Sequence, residues 1–212
     1  MGIDEVIASQ QDHWFVSRAT HYIKRVLKRV DVTSKTLVAL VDEDSAFAGT
    51  LFELVALADR SFMLDDPDEA VKVRLSPLNF GMYPMGNGLT RLQTRFYGEP
   101  DTLEEASSRI GEPLITQEAD ELNLVTFAPD DIDWDDELRL FFEERSGLSS
   151  DGLTGMEQNL RFAGPETMET KIFGRLSAWQ NWIFIRPNAV GPQGALKSFG
   201  SPHQAVYDFN RT

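Results

Sequence analysis

Apolar residues between Asp12 and Val30 recur at steps of three and four: Trp14, Ala19, Ile23, Val26, Leu27 and Val30. Arg18, Lys24, Arg25, Lys28 and Arg29 fall between them. That period predicts an amphipathic helix, and the polar stretch from Asp31 to Lys35 ends it. The pattern then changes. Leu37 to Val41 is an unbroken apolar run that stops at Asp42-Glu43-Asp44, and Ala48-Gly49-Thr50 opens a second apolar segment at helical spacing. Strand, tight turn and helix follow from that order, with Glu53 one turn inside the helix. Arg60 to Leu64 reads as a second short strand and Val71 to Leu75, by alternation, as a third.

Gly81, Pro84, Gly86 and Gly88 exclude a regular element through the middle of the segment from Asn79 to Leu92. Downstream, Thr102 with Glu105 has the spacing of a capping box, and Thr116 opens another short helix. Leu122 to Phe127 is apolar enough for a short strand. Trp134 to Arg145 reads as an acidic amphipathic helix with Leu138, Phe141 and Phe142 inward. Leu153 to Phe184 predicts two helices joined near Gly164-Pro165, the later one with a broad apolar face of Ile172, Phe173, Leu176, Trp179, Trp182 and Ile183. Pro187 to Thr212 lacks periodicity and reads as an extended tail. The expected divisions are a core over 1–128, a helical region over 129–186 and a tail over 187–212, with no internal repeat.

Composition narrows the field. A chain of 212 residues can bury one good core. The net charge of −14 argues against nucleic acid or an anionic membrane as a partner, while a few local cations could still hold an anionic ligand. The absence of cysteine removes disulfides, thiol catalysis and cysteine-ligated zinc. The opening MGIDEVIASQQDHW has no apolar signal core, and no window approaches the roughly 18 unbroken apolar residues of a membrane span. A soluble, cytoplasmic protein is expected. His13, His21 and His203 are scattered, which argues against a histidine metal site and a Ser-His-Asp triad. The acidic runs at Asp42 to Asp44, Asp65 to Asp68 and Asp130 to Asp136 do not match a calcium loop and read as solvated loop charge. No metal and no bound cofactor is expected.

Candidate chemistry gathers at the strand-turn-helix. A glycine at the turn lets backbone approach a ligand closely, and the first free N–H groups of the helix can meet a developing negative charge. The plainer account is a buried strand followed by an ordinary helix start. Glu53 lies between Phe52 and Leu54 in a segment otherwise apolar from Ala46 to Ala58. Burial would raise its pKa toward the range useful for proton transfer. The alternatives are an exposed helix stripe, or an ion pair with Arg60 or Arg91.

The segment AFAGTLFELVALADR, Ala46 to Arg60, resembles the signature of the crotonase (enoyl-CoA hydratase/isomerase) superfamily. PLNFGMYPMGNGLTRL, Pro77 to Leu92, is similar to that family's next block, in the same order and at a similar separation. The resemblance implies an α/β fold, a partial spiral of strand-strand-helix turns closed by C-terminal helices that mediate oligomer contacts. It also implies a CoA-thioester substrate whose enolate is held by two backbone N–H groups. On this pattern the oxyanion donors map to Gly49 and Thr50 and the catalytic carboxylate to Glu53.

Asn159 to Thr212, with the stretch DHWFVSRATHYIKRVLKRVDVTSKTLVAL, resembles the C-terminal part of one branch, the benzoyl-CoA-dihydrodiol lyases. That branch opens the oxygenated ring of benzoyl-CoA with water in aerobic aromatic catabolism, releasing formate and a semialdehyde-CoA. Two residue departures follow. Thr50 stands where the donor glycine belongs. Pro77 or Leu78 replaces the second glutamate. The strand supplying the other oxyanion N–H is expected ahead of the helix that starts near Asp12. One donor and one acid without a paired base make a poor acid-base site, and a fold alone does not repair it. Three readings result: a C-terminal module that buttresses a catalytic crotonase half or assembles as a homo-oligomer, a stand-alone enoyl-CoA hydratase or lyase using Glu53 and the Thr50 N–H, and an interaction protein that binds no CoA. The first is favoured. Lys171, Arg175 and Lys197 are the cations named for the CoA phosphates.

Overall fold

The computed structural model describes residues 1–210. It divides into two compact units. One comprises Met1–Thr33 and Leu37–Asp135; the other comprises Ser34–Thr36 and the chain from Asp136 onward.

In the first unit, α1 (Gly2–Ser9) and α2 (Trp14–Asp31) precede β1 (Val38–Val41). A 3₁₀ turn at Gly49–Leu51 leads into α3 (Phe52–Leu57) and then β2 (Arg60–Met63). β2 lies parallel to β1, with Val38 opposite Arg60 and Val41 opposite Met63. The apolar run of β1 and its partner Phe62-Met63 is what a parallel pair covered by other elements requires. β3 (Val73–Arg74) pairs antiparallel with β4 (Pro113–Leu114), and single bridges join Ala48 to Arg74, Phe62 to Phe127 and Asp65 to Asp130. The main core packs Val41, Phe52, Val55, Met63, Leu75, Leu92, Leu114 and Leu124. A second cluster of Ile7, Leu27, Leu57, Leu78 and Tyr83 fastens α1 and α2 to α3.

Several elements depart from the sequence expectation. The helix α1 was not anticipated. After α4 (Arg91–Arg95), α5 runs over Pro100–Ser108 with Glu99 at its N-cap position. Thr102 therefore lies within the first turn, because Pro100 carries the φ that suits the first helical position. The helix α6 (Thr116–Glu121) begins where expected. Thr116 Oγ1 donates to the Leu64 carbonyl at 2.6 Å. Leu122 to Phe127 forms a single bridge instead of a strand, since the Asn123 and Val125 carbonyls accept from the Arg95 guanidinium at 2.5 and 2.9 Å. The acidic runs serve turns. Asp66 accepts from the Asp68 and Ala70 N–H groups, and Asp130 from those of Ile132 and Asp133.

The second unit is helical. It takes in most of α7 (Trp134–Ser146), then α8 (Ser150–Arg161), a π-helical segment Thr170–Leu176 continuing into α9 (Ser177–Ile183), and the short α10 (Pro187–Val190) and α11 (Ala195–Ser198). Among the described residues none of α7 is buried, and Phe142 is exposed rather than inward. The segment after Pro187 is not simply extended. The Asn188 side chain donates to the Asp208 carbonyl at 3.0 Å and accepts from its N–H at 2.8 Å, which folds the tail back on α10. Buried Glu157 accepts from Thr36 Oγ1 at 2.7 Å and pairs with Arg145 and Arg161. Thr154 donates to the Ser34 carbonyl at 2.9 Å. Those bonds place the three residues Ser34–Thr36 with the second unit.

Candidate functional site

The site is built where β1 gives way to α3. Gly49 has φ of 57°, and a Cβ at that position would collide with the carboxylate of Asp4 from α1. Only glycine takes this left-handed conformation at little steric cost, so its presence is dictated twice over. Asp4 is 6% exposed and carries three hydrogen bonds. The Thr50 N–H donates at 2.8 Å, Thr50 Oγ1 at 2.8 Å and Ser76 Oγ at 2.6 Å. The Tyr83 hydroxyl lies 3.1 Å from Thr50 Oγ1. The backbone N–H singled out as an oxyanion donor is thus satisfied by a carboxylate of the same chain.

Glu53 is 1% exposed, and both of its oxygens are engaged. The Asn79 amide donates to Oε1 at 2.8 Å and Arg91 to Oε2 at 2.7 Å. Of the two candidate partners, Arg91 makes the pair, while Arg60 donates to the Asp59 carbonyl. Arg91 also holds Asp31 through two bonds of 3.0 and 2.7 Å and donates to the Tyr83 carbonyl at 3.0 Å. Asn79 bridges the two halves of the site. Its amide donates to the Gly49 carbonyl at 2.9 Å, and its Oδ1 accepts from the Ser76 N–H at 2.8 Å. A continuous buried network therefore runs from Asp31 through Arg91, Glu53, Asn79 and Ser76 to Asp4.

One guanidinium serves two carboxylates here. Burial pushes the Glu53 carboxyl above its ordinary value; the hydrogen bond from Asn79 and the pairing with Arg91 pull it back, and the Asp31 charge adds to the rise. Burial likewise pushes the Tyr83 hydroxyl up, with the Thr50 hydrogen bond opposing and the Asp4 and Glu53 charges reinforcing.

No protein-family model matches the chain. Solved structures do. An enoyl-CoA hydratase from Geobacillus kaustophilus superposes with a TM-score of 0.70 at 18% identity, over 92% of this chain and 69% of that one. One from Bacillus anthracis gives 0.66 at 15% identity, over 95% and 73%. In sequence, the chain is 52% identical over 211 residues to a benzoyl-CoA-dihydrodiol lyase of Aromatoleum evansii. The match covers all of this chain and 38% of the length of that lyase. The chain is a crotonase-fold homologue of one part of this lyase.

Pro77 and Leu78, the residues that the sequence resemblance sets where a second acid is expected, are both hydrocarbon. Pro77 is exposed at the start of a 3₁₀ turn, Pro77–Phe80, and Leu78 is buried against Ile7, Leu27, Leu57 and Tyr83. Gly49, Thr50 and Glu53 are brought together by the fold. Lys171, Arg175 and Lys197 belong to the second unit. Arg175 is engaged there. It donates to the carbonyls of Gln158 and Asn159 at 3.2 and 2.5 Å, closing the end of α8, and pairs with Glu166 at 2.5 Å. Lys171 and Lys197 are exposed on different helical segments.

Sequence reasoning missed Asp4, Asn79 and Asp31. The signal for Asn79 was local: Ser76-x-x-Asn79 is a reciprocal cap of the 3₁₀ turn. Asp4 had none, because its partner Thr50 is 46 positions away. Beside Asp4 and Thr50 opens a groove of about 1020 Å³ between α1, α2 and the start of α3. Its walls are apolar, including Ile3, Phe15, Tyr22, Val26, Leu51 and Leu54. The groove fits an apolar group rather than a metal, and among the described residues no cluster of three acidic, histidine or cysteine side chains is arranged to hold one. Among them, too, no helix is long and apolar enough to cross a membrane.

Proposed function

We propose that this chain is the C-terminal module of a benzoyl-CoA-dihydrodiol lyase, acting in the cytoplasm on a CoA thioester in concert with the rest of that enzyme. The observation that carries the reading is the 52% identity sustained over the whole chain against part of such a lyase. The geometry supports a framework role for this part. Glu53 has no free oxygen, the Thr50 N–H is engaged by Asp4, and Leu78 offers no base. An acid without a partner that can exchange protons with a substrate contributes little to acid-base chemistry. Ring opening, with formate and a semialdehyde-CoA as products, then depends on groups contributed by the remainder of the enzyme.

The test is complementation. The chain is combined with the remaining part of the lyase and supplied with the oxygenated benzoyl-CoA, and semialdehyde-CoA is followed by chromatography. Turnover is expected with both parts together and not with either alone. Full activity of this chain by itself would overturn the proposal.

A further inference from the structure

We infer that α2 of one copy of this chain binds α7 of a second copy in antiparallel register. The exposed stripe Arg18, Tyr22, Arg25 and Arg29 meets the stripe Asp133, Glu137, Leu140 and Glu144. The occupant of each surface is thus the chain itself, and the inference does not rest on the lyase reading.

Charge is unevenly distributed along the molecule. In a chain of net charge −14, α2 carries Arg18, Lys24, Arg25, Lys28 and Arg29. Its acid, Asp31, is buried and held by Arg91. None of those α2 cations forms an ion pair among the described residues, although Arg91, Arg109, Arg139 and Arg175 each do. Like charges four positions apart, Lys24 with Lys28 and Arg25 with Arg29, work against the helix. The acidic counterpart is α7. There Arg139 pairs with Asp136 and Glu143, and Arg145 with Glu157. Glu137 and Glu144, with Asp133 just ahead of the helix, form no ion pair among the described residues.

The two stripes match in spacing as well as in sign. Arg18, Tyr22, Arg25 and Arg29 are exposed and step by four, three and four; Asp133, Glu137, Leu140 and Glu144 are exposed and step the same way. That is the spacing of a seam between two packed helices, roughly 17 Å long on each side at 1.5 Å per residue. Run antiparallel, Arg18 meets Glu144, Tyr22 meets Leu140, Arg25 meets Glu137 and Arg29 meets Asp133. Run parallel, Arg25 faces Leu140 and Tyr22 faces Glu137, so one charge pair and the apolar contact are lost. Tyr22 is 66% exposed and Leu140 47%, and α7 buries none of its residues. Arginine and aromatic side chains are the ones that interface centres favour. Because both stripes are exposed, the pairing is between copies.

Sedimentation equilibrium of the full chain tests the pairing. At about 0.15 M salt a Debye length of roughly 8 Å screens the mutual repulsion of two chains of net charge −14 and leaves contacts at a few ångströms in force. A seam of three helical turns is smaller than a standard interface, so self-association with a Kd of roughly 0.1–1 mM is expected. R18E/R25E and E137K/E144K should each weaken it at least about tenfold, because like charges then face one another. An equimolar mixture of those two variants should associate again, since each supplies one intact stripe. Register is read within one chain: R18E/E144K should associate as the unmutated protein does, and R18E/E137K should not. A chain that stays monomeric at about 1 mM, or reversals that leave its association unchanged, would overturn the proposal. Equal association by R18E/E144K and R18E/E137K would overturn the antiparallel register. If R18E/R25E does not accumulate in folded form, R18Q/R25Q takes its place, with a loss of about threefold expected and no loss counting against the pairing.

Discussion

Arg91→Met isolates the central charge of the buried network. The guanidinium side chain is 1% exposed and makes two bonds to Asp31, one to Glu53 and one to the Tyr83 carbonyl. Methionine keeps the hydrocarbon stem and removes every donor, leaving two buried carboxylates without their shared cation. Breaking such a pair from one side costs about 3–5 kcal/mol. An independent route gives a similar figure. Keeping one carboxyl protonated at pH 7, against an ordinary value of 4.5, costs about 2.5 steps of 1.36 kcal/mol, or roughly 3.4 kcal/mol. The folded variant then holds one more proton than the unfolded chain, so its stability rises as pH falls. Over the two pH units from 7 to 5 the variant should gain up to about 2.7 kcal/mol, and the deficit shrinks by that amount less the gain that the raised Glu53 carboxyl gives the unmutated protein. Amide exchange at Met63 and Leu64 reads the opening free energy of the first unit, because their N–H groups donate to Phe127 and Val41 within its sheet. A deficit below about 1 kcal/mol at pH 7, or one equal at both pH values, would refute the reasoning.

Other perturbations probe the same framework. Glu53→Gln removes a carboxyl whose folded pKa is raised, a group whose stabilising contribution is present below its ordinary value of 4.5 and fades as pH rises through the raised one. The deficit of E53Q in urea unfolding should therefore be larger at pH 4.5 than at pH 8, and the opposite slope would contradict burial as the dominant cause. Asn79→Leu strands Glu53 Oε1 and the Ser76 N–H, while the Gly49 carbonyl keeps the Phe52 N–H, and should cost about 2–4 kcal/mol by the same exchange measurement. Gly49→Ala meets both a left-handed φ and the Asp4 carboxylate. A loss of at least about 2 kcal/mol, with faster exchange at the Gln10 N–H that closes α1, is expected. In the second unit, Glu157→Leu leaves Arg145 and Arg161 without their shared acid, and exchange at the Leu153 N–H should reveal a loss of about 3 kcal/mol.

The β1–turn–α3–β2 unit was legible because its information is local. A short apolar run, an acidic stop and a glycine before a helical period leave few alternatives, and the crotonase resemblance rests on those residues. The Glu53 and Arg91 pair was also within reach, since a carboxylate flanked by Phe52 and Leu54 needs a cation and only a few follow. What could not be read depends on pairing across distance. The helix α1 shows a weak pattern because half of what it buries is an acid, Asp4, whose donors lie on two other segments. Leu122 to Phe127 looks like a strand by composition, yet its carbonyls are taken by the side chain of Arg95, a substitution of partner that apolar periodicity does not register. The compact tail likewise depends on one side chain, Asn188, binding both backbone groups of Asp208.

Ser34, Lys35 and Thr36 carry a consequence for how the chain can be cut. They sit between α2 and β1 in sequence, yet the Ser34 carbonyl and the Thr36 hydroxyl complete the bonding of Thr154 and Glu157 in the second unit. Neither unit is a continuous stretch of polypeptide. An excised segment from Asp136 onward would lack an acceptor and a donor it uses, and a chain ending at Asp135 would lose the Thr154 and Glu157 partners of Ser34 and Thr36. During synthesis, Ser34 and Thr36 wait for partners made 120 and 121 positions later.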